Sequence, residues 1–334
     1  MSKKELLNES QEKKESDSNV ETSFLSSRKE LCFAYDIKMG NPNGDPDENR
    51  PRVLPDGTYY VTDVRLKRYI RDFFKSQKKD ILVDTIDSKT TNLTGRVAHY
   101  LKSINKKEVN GQELVNILLD NFIDARLFGS SFAFKKQDKY EPKPVPKTLT
   151  GAMQFNHGEV LHDSEPVDIH GTTTFGSSEE KGQGTFTTYF ALRYALIGFN
   201  GVANEHSAKL SKMTDEDYDE VLNAMWKSVR SSANTRSKVG QSPRFLISIS
   251  YKKGVEFQFG NLSDYIKLLP ANGKEEKEWS SPQDFIMDLS LLTKRLEEYA
   301  DNIDSVSFCA SPDVKFSDNL PDEWKKLEFD KVST

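Results

Sequence analysis

Polar residues fill the first 29 positions with few large apolar side chains among them. This predicts a solvated tail over 1–29 ahead of a folded body over 30–334. The body opens on Glu30–Lys38, where Leu31, Phe33 and Tyr35 alternate with smaller or polar residues, the period of a strand. Residues 40–57 (GNPNGDPDENRPRVLPDG) are dense in Gly, Pro, Asn and Asp and read as a loop, with Thr58–Val61 as a short extended return. Thr62 is placed to cap a helix over Asp63–Gln77, whose Leu66, Tyr69, Ile70, Phe73 and Phe74 form one apolar stripe.

Beyond that helix the pattern loosens. Leu114, Ile117, Leu118 and Phe122 predict one helix within an insertion over about 80–148, which ends in a basic, proline-rich loop at 135–147. A strand is expected over 150–156, then a protruding hairpin over about 159–188 with its tip near 177–184. A core strand follows at 189–200, a helix at 214–230 capped by Thr214, and a strand at 245–251. A helix at 289–300 and a last strand at 305–310 complete the expected elements, which favour an α+β sheet with insertions over a doubly wound fold.

Charge changes this picture more than overall composition does. The 334 residues carry a formal net charge of −5, yet residues 221–255 contain seven Lys or Arg and no acid. Residues 62–79 hold seven basic residues against two acidic ones, whereas 275–334 hold 15 acids against 7 bases. Localised basic patches on an acidic chain point to a polyanion site, and the acidic end to a surface kept off nucleic acid. The N-terminal 29 residues lack an apolar signal core and no apolar run is long enough to span a bilayer, so a cytoplasmic location is expected. Two cysteines, Cys32 and Cys309, lie in apolar strands and read as core residues.

Enzyme signatures are weak. Asp45, Asp47 and Asn49 begin like a calcium loop, but Arg50 stands where glycine is required and Asp56 where a bidentate glutamate would close the site. His157 and His162 are five apart, so a helix would not place both on one face; a metal site would need them on a loop together with His170. No nucleophile elbow, P-loop or dinucleotide fingerprint occurs. No metal, cofactor or catalytic residue is expected.

Four segments in order carry a resemblance: FAYDIKMGNPNGDPD (33–47), YVTDVRLKRYIRDFF (60–74), DARLFGSSF (124–132) and LTGAMQFNHGEVLH (149–162). Over about Leu31–Tyr251 the chain resembles the CRISPR RNA-binding backbone subunit of type I Cascade complexes, closest to the I-B branch with I-C next. The resemblance implies an RRM-like (ferredoxin-like) palm with inserted fingers and a β-hairpin thumb. It implies a non-catalytic subunit that polymerises along the guide, its thumb displacing every sixth base so that the intervening bases pair with target DNA. Implied partners are the CRISPR RNA, the target DNA strand, further copies of the chain, and the capping, large and small Cascade subunits.

Carried onto this sequence, the RNA-binding candidates are Lys38, Asn41 and Asn43 around the first loop and Lys67, Arg68 and Arg71 on the first helix. Met153 and Gln154 follow on the strand before the thumb, with Thr173, Thr174 and Phe175 on the thumb itself. Ser231, Asn234, Arg236 and Lys238 lie in the acid-free SSANTRSK stretch. Each has a plain alternative, as turn chemistry, core packing or a solvated charge. Backbone relatives that cleave target RNA leave a second reading open, a ribonuclease using Asp45 or Asp47.

Overall fold

The computed structural model describes residues 24–330 apart from 88, 107–108, 110, 132–147 and 173–185. At its centre is β1 (Lys29–Gly40), whose residues 31–37 are all buried. Leu31, Phe33, Tyr35 and Ile37 point into one hydrophobic core, while Cys32 and Ala34 point into a second on the opposite face. The alternation in the sequence thus marks a strand covered on both sides rather than a half-solvated one.

The short strands β2 (Tyr60–Val61), β3 (Gly129–Ser131), β4 (Thr148–Thr150), β5 (Met153–Phe155) and β6 (Gly158–Val160) precede β7 (Pro166–Thr172). Next come the 18-residue β8 (Phe186–Ala203), then β9 (Ser242–Tyr251), β10 (Lys267–Pro270), β11 (Phe285–Asp288), β12 (Ile303–Ala310) and β13 (Lys325–Lys326). The main sheet runs β13-β12-β9-β1-β8-β6-β2, with β5 and β7 also paired to β8. All its pairs are antiparallel except β12 with β13. β3 pairs with β4, and β10 with β11, in two small separate sheets.

Two helices, Asp63–Ser76 and Asp215–Ser231, pack side by side over the first core. The second helix has the expected cap: Thr214 Oγ1 accepts from the Asp217 amide (3.1 Å) while the Asp217 carboxylate accepts from the Thr214 amide (3.1 Å). That carboxylate also takes two 2.7 Å bonds from Arg126 and so ties the insertion to the helix. Thr62 departs from expectation. It stands at the N-cap, but its hydroxyl donates to Asn43 Oδ1 (2.8 Å) instead of receiving a helix amide. The insertion itself folds as the helices Leu93–Ser103, Gly111–Asn121 and Ile123–Phe128 around a third cluster. Among the described residues no helix is long and apolar enough to cross a membrane.

The N-terminal end departs from the sequence picture. Residues 24–29, expected in the tail, are docked: Leu25 is buried and donates its amide to the Met213 carbonyl (2.8 Å), and Lys29 pairs with Asp215 (2.9 Å). The acidic C-terminal part carries its expected helix, Ser290–Glu298, and its expected strand β12. Trp279, Phe285, Met287, Leu292 and Trp324 form the second core against β1, β8 and β9, leaving the acids other than buried Asp284 to the outside of that layer.

Candidate nucleic-acid interface

The two loops that the sequence singles out lie against each other. The Lys38 amide donates to the Gly240 carbonyl (3.3 Å) and the Asn41 amide to the Ser237 carbonyl (3.0 Å), continuing the contact past the start of β9 at Ser242. The approach is close because residues 40 and 240 have no side chain. A Cβ on Gly40 would stand 2.7 Å from the Ser237 carbonyl oxygen, and one on Gly240 would overlap the Lys38 carbonyl. Lys238 closes the junction by donating its ammonium to the Asn41 carbonyl and to the Pro42 carbonyl (2.8 Å).

Burial, with Arg65 close by, pushes the Lys238 amine down to about 8 from its usual value of 10.5. Unfolded, the same amine keeps its proton to about 10.4. Between these values the unfolded chain binds the extra proton, so this lysine makes stability rise with pH across that window. We expect the melting temperature of the intact chain to gain on that of a Lys238→Met variant between pH 8 and 10. Parallel profiles for the two proteins would refute the assignment.

The loop after β1 is built from its own polar side chains. Asn41 and Asn43 are buried, with Asn41 Nδ2 donating to the Asn49 carbonyl (2.7 Å) and Asn43 Oδ1 accepting from the Thr62 amide (2.9 Å) and hydroxyl (2.8 Å). Their side chains therefore shape the loop rather than face solvent, because a segment so poor in apolar residues closes on its amides. Asp45 does similar work, accepting from the amides of Asp47, Glu48, Asn49 and Arg50 at 2.8–3.2 Å. Those bonds, the Glu48 amide first, hold its carboxyl below the usual carboxylate range.

The first-helix cations divide. Arg71 lies against Asp124 (Nε to Oδ2, 2.8 Å) and over the Phe128 ring, and Lys67 bonds Asp63 (2.9 Å) and Gln154 Oε1 (3.2 Å). Both are largely buried and act as braces. Arg68 is exposed and pairs with Asp72 at i+4 (2.7 Å), a contact worth little in water. The helix N-terminus is not an open anion site, since Asp63 occupies its first turn and donates its amide to His157 Nδ1 (3.3 Å). Met153 is fully enclosed in the first core, so its side chain packs and cannot wedge between bases there.

Lys38, Ser231, Asn234 and Arg236 are exposed. The Arg236 guanidinium lies 3.2 Å from the centre of the Tyr189 ring, which joins the 231–241 loop to the β7–β8 hairpin. Thr173, Thr174 and Phe175 fall outside the described residues. The structure thus gathers Lys38, Arg236 and Lys238 at one loop junction, with Arg68 on the adjoining helix. Sequence reasoning missed Arg65 and Tyr189. Arg65 sits one turn before Arg68 in the same basic helix and was legible, but the Arg236–Tyr189 contact joins residues too distant for any local signal.

The three histidines considered as ligands occupy separate surroundings. His157 stacks on Tyr60, His170 meets the Thr188 hydroxyl, and buried His162 accepts the Leu196 amide while packing on Trp279. Burial lowers the His162 pKa. Among the described residues no group of three His, Cys, Asp or Glu side chains stands close enough to share a metal ion.

Residues 27–290 match the family model for CRISPR-associated protein Cas7, which spans most of this fold. The chain belongs to the Cas7 family. A Haloferax volcanii CRISPR-associated protein Cas7 is 29% identical over 295 residues, covering 84% of this chain and 85% of the relative. The fold also resembles a chain of a CRISPR RNA-guided surveillance complex, with TM-score 0.52 and 12% identity over 92% of this chain and 95% of that one. A chain of such a complex in a pre-nicking state gives TM-score 0.53 and 11% identity, over 90% and 96% of the two chains. The Cas7 match ends within the C-terminal layer, at Ser290, so β12 and β13 extend the family sheet beyond the matched segment.

Proposed function

We propose that this Cas7-family chain is a non-catalytic backbone subunit of a type I, I-B-like, CRISPR RNA-guided surveillance complex. Copies of it line up along a CRISPR RNA and hold the guide for pairing with target DNA, alongside capping, large and small subunits. The observation that carries this reading is the loop junction, where two segments some 200 residues apart bring exposed Lys38 and Arg236 together beside the β7–β8 hairpin. The strand order β9-β1-β8-β6, with two helices on one face, supports an RRM-like palm, and the hairpin supports a thumb. A guide-dependent subunit holds RNA by its backbone and leaves bases free for pairing, which suits exposed cations on a rigid loop.

The ribonuclease reading loses support at Asp45, whose carboxylate is occupied by four backbone amides. A magnesium-dependent cleavage assay with Asp47→Ala as control addresses the remaining aspartate.

The deciding experiment is purification from cells expressing the matching CRISPR array, followed by sequencing of bound RNA. Processed, repeat-flanked guides protected at regular intervals are expected, and RNA of random origin would overturn the reading. Salt titration then counts phosphate contacts. Removing Lys38, Arg68 and Arg236 together should flatten the log–log salt dependence by about 2, at roughly 0.7 per lost contact with a single strand. An unchanged slope would remove these three from the interface.

A further inference from the structure

The C-terminal layer ends in a sheet edge that is only partly covered. β12 pairs with β9 along one side, whereas on the other side only Ser307 and Phe308 meet β13. Among the described residues, no strand pairs with the outer side of residues 303–306. A cleft of about 290 Å³ follows this stretch, between the Ser290–Glu298 helix and residues 321–324. Leu296, Val306 and Trp324 give it an apolar floor, at 5%, 9% and 6% exposed. Glu297, Asp304 and Glu323 stand around it, exposed and without an ion pair among the described residues. An uncovered edge invites a further strand, and three carboxylates select a lysine-bearing one while repelling a second acidic edge. All of these residues lie beyond Ser290, where the Cas7 match ends.

The chain carries a stretch of matching character. Residues 135–147 (KKQDKYEPKPVPK), which lie outside the described residues, hold five lysines against two acids, with prolines at 142, 144 and 146. In an antiparallel strand, alternate residues turn their backbone groups to opposite sides. All three missing N–H groups therefore fall on one side, leaving Lys143, Val145 and Lys147 to pair on the other. Such a strand completes an edge without offering a new one. We infer that residues 143–147 of a second copy of the chain add to β12 beside residues 303–306, their lysines against Glu297, Asp304 and Glu323. The strand comes from another copy because Val145 lies three residues before β4, which leads directly into β5. Three residues span about 11 Å at most, whereas β5 stands four strand positions from β12, roughly 19 Å away. The contact goes beyond guide binding: it links copies of the chain directly and needs no RNA.

The test is carried out without RNA, so its failure leaves the guide-binding reading untouched. A fluorescein-labelled peptide of residues 135–147 is titrated with the full-length chain and followed by anisotropy. Binding should weaken about tenfold in a Glu297→Lys/Glu323→Lys variant. Both glutamates are exposed and unpaired, so this variant should keep the melting temperature of the parent chain. A peptide of the same composition, with its prolines moved to positions 142, 143 and 146, lacks an N–H on the pairing side and should bind about three- to tenfold more weakly. Sedimentation velocity of full-length chains then reads the source of the strand. The Glu297→Lys/Glu323→Lys chain and a Lys143→Glu/Lys147→Glu chain should each lose self-association, and an equimolar mixture should regain it, because opposite charges then meet between copies. Equal affinity for the two peptides overturns strand addition. Absence of peptide binding, or binding indifferent to the glutamate reversal, removes the cleft as the site. Association that mixing does not restore overturns the second copy as the source.

Discussion

Replacing Asp124 by alanine should lower the stability of the chain by about 3–5 kcal/mol, the loss expected when one partner of a buried ion pair is removed. Asp124 is 1% exposed and serves three donors: Arg71 Nε (2.8 Å), the Leu82 amide (2.7 Å) and the Val83 amide (3.1 Å). Removing the carboxylate leaves all three donors without their acceptor, the Leu82 amide in a buried position and the other two in part-buried ones, each with its own desolvation cost. The effect is also topological, because these bonds fasten the first helix to the segment that leads into the insertion. Urea denaturation reads the change, and Asp124→Asn should lose less because an amide oxygen still accepts the backbone donors. A shift below about 1 kcal/mol for Asp124→Ala would show that the surroundings relax and that the pair is not structural. The same argument reassigns Arg71: its alanine variant should lose stability while leaving the salt dependence of RNA binding unchanged, unlike Arg68→Ala.

Arg71 illustrates where the sequence was legible and where it was not. Its position off the apolar stripe of the Asp63–Ser76 helix was correct, and so were the helix itself, the Thr214 cap and the strands expected at 189–200, 245–251 and 305–310, whereas β10, β11 and β13 went unread. These features are local, written in periodicity and cap chemistry within one or two turns. Whether an off-stripe cation faces water depends on what packs beside the helix, and Asp124 arrives from 53 residues away. The same limit explains Met153, Asn41 and Asn43: their residue types suit both a binding surface and an interior, and only the neighbouring strand or loop decides. The C-terminal layer was read as an acidic surface because its acids dominate the composition, while its few tryptophans and phenylalanines do the packing. The contact between the two candidate loops left no trace in either segment except the glycines that permit it.

Gly240 is the sharper of those two glycines, and alanine there should separate loop geometry from core stability. Its Cβ would overlap the Lys38 carbonyl and stand 3.1 Å from the Lys38 nitrogen, and both are backbone atoms with no rotamer by which to retreat. The loops must therefore part, which weakens the Lys38–Gly240 and Asn41–Ser237 bonds and draws Lys238 away from the Asn41 and Pro42 carbonyls. Overpacking of this kind costs about 1–3 kcal/mol, and here it falls on the junction rather than on the three cores. Amide hydrogen exchange should accelerate at Lys38 and Asn41 while the amides of β8 keep their protection, and RNA affinity should fall with them. Val239→Ala, one residue away and on an exposed side chain, serves as the comparison because it leaves the backbone approach intact. If Gly240→Ala leaves both exchange at Lys38 and RNA affinity unchanged, close apposition of the two loops is not what builds the surface. The cations would then act through their separate loops alone.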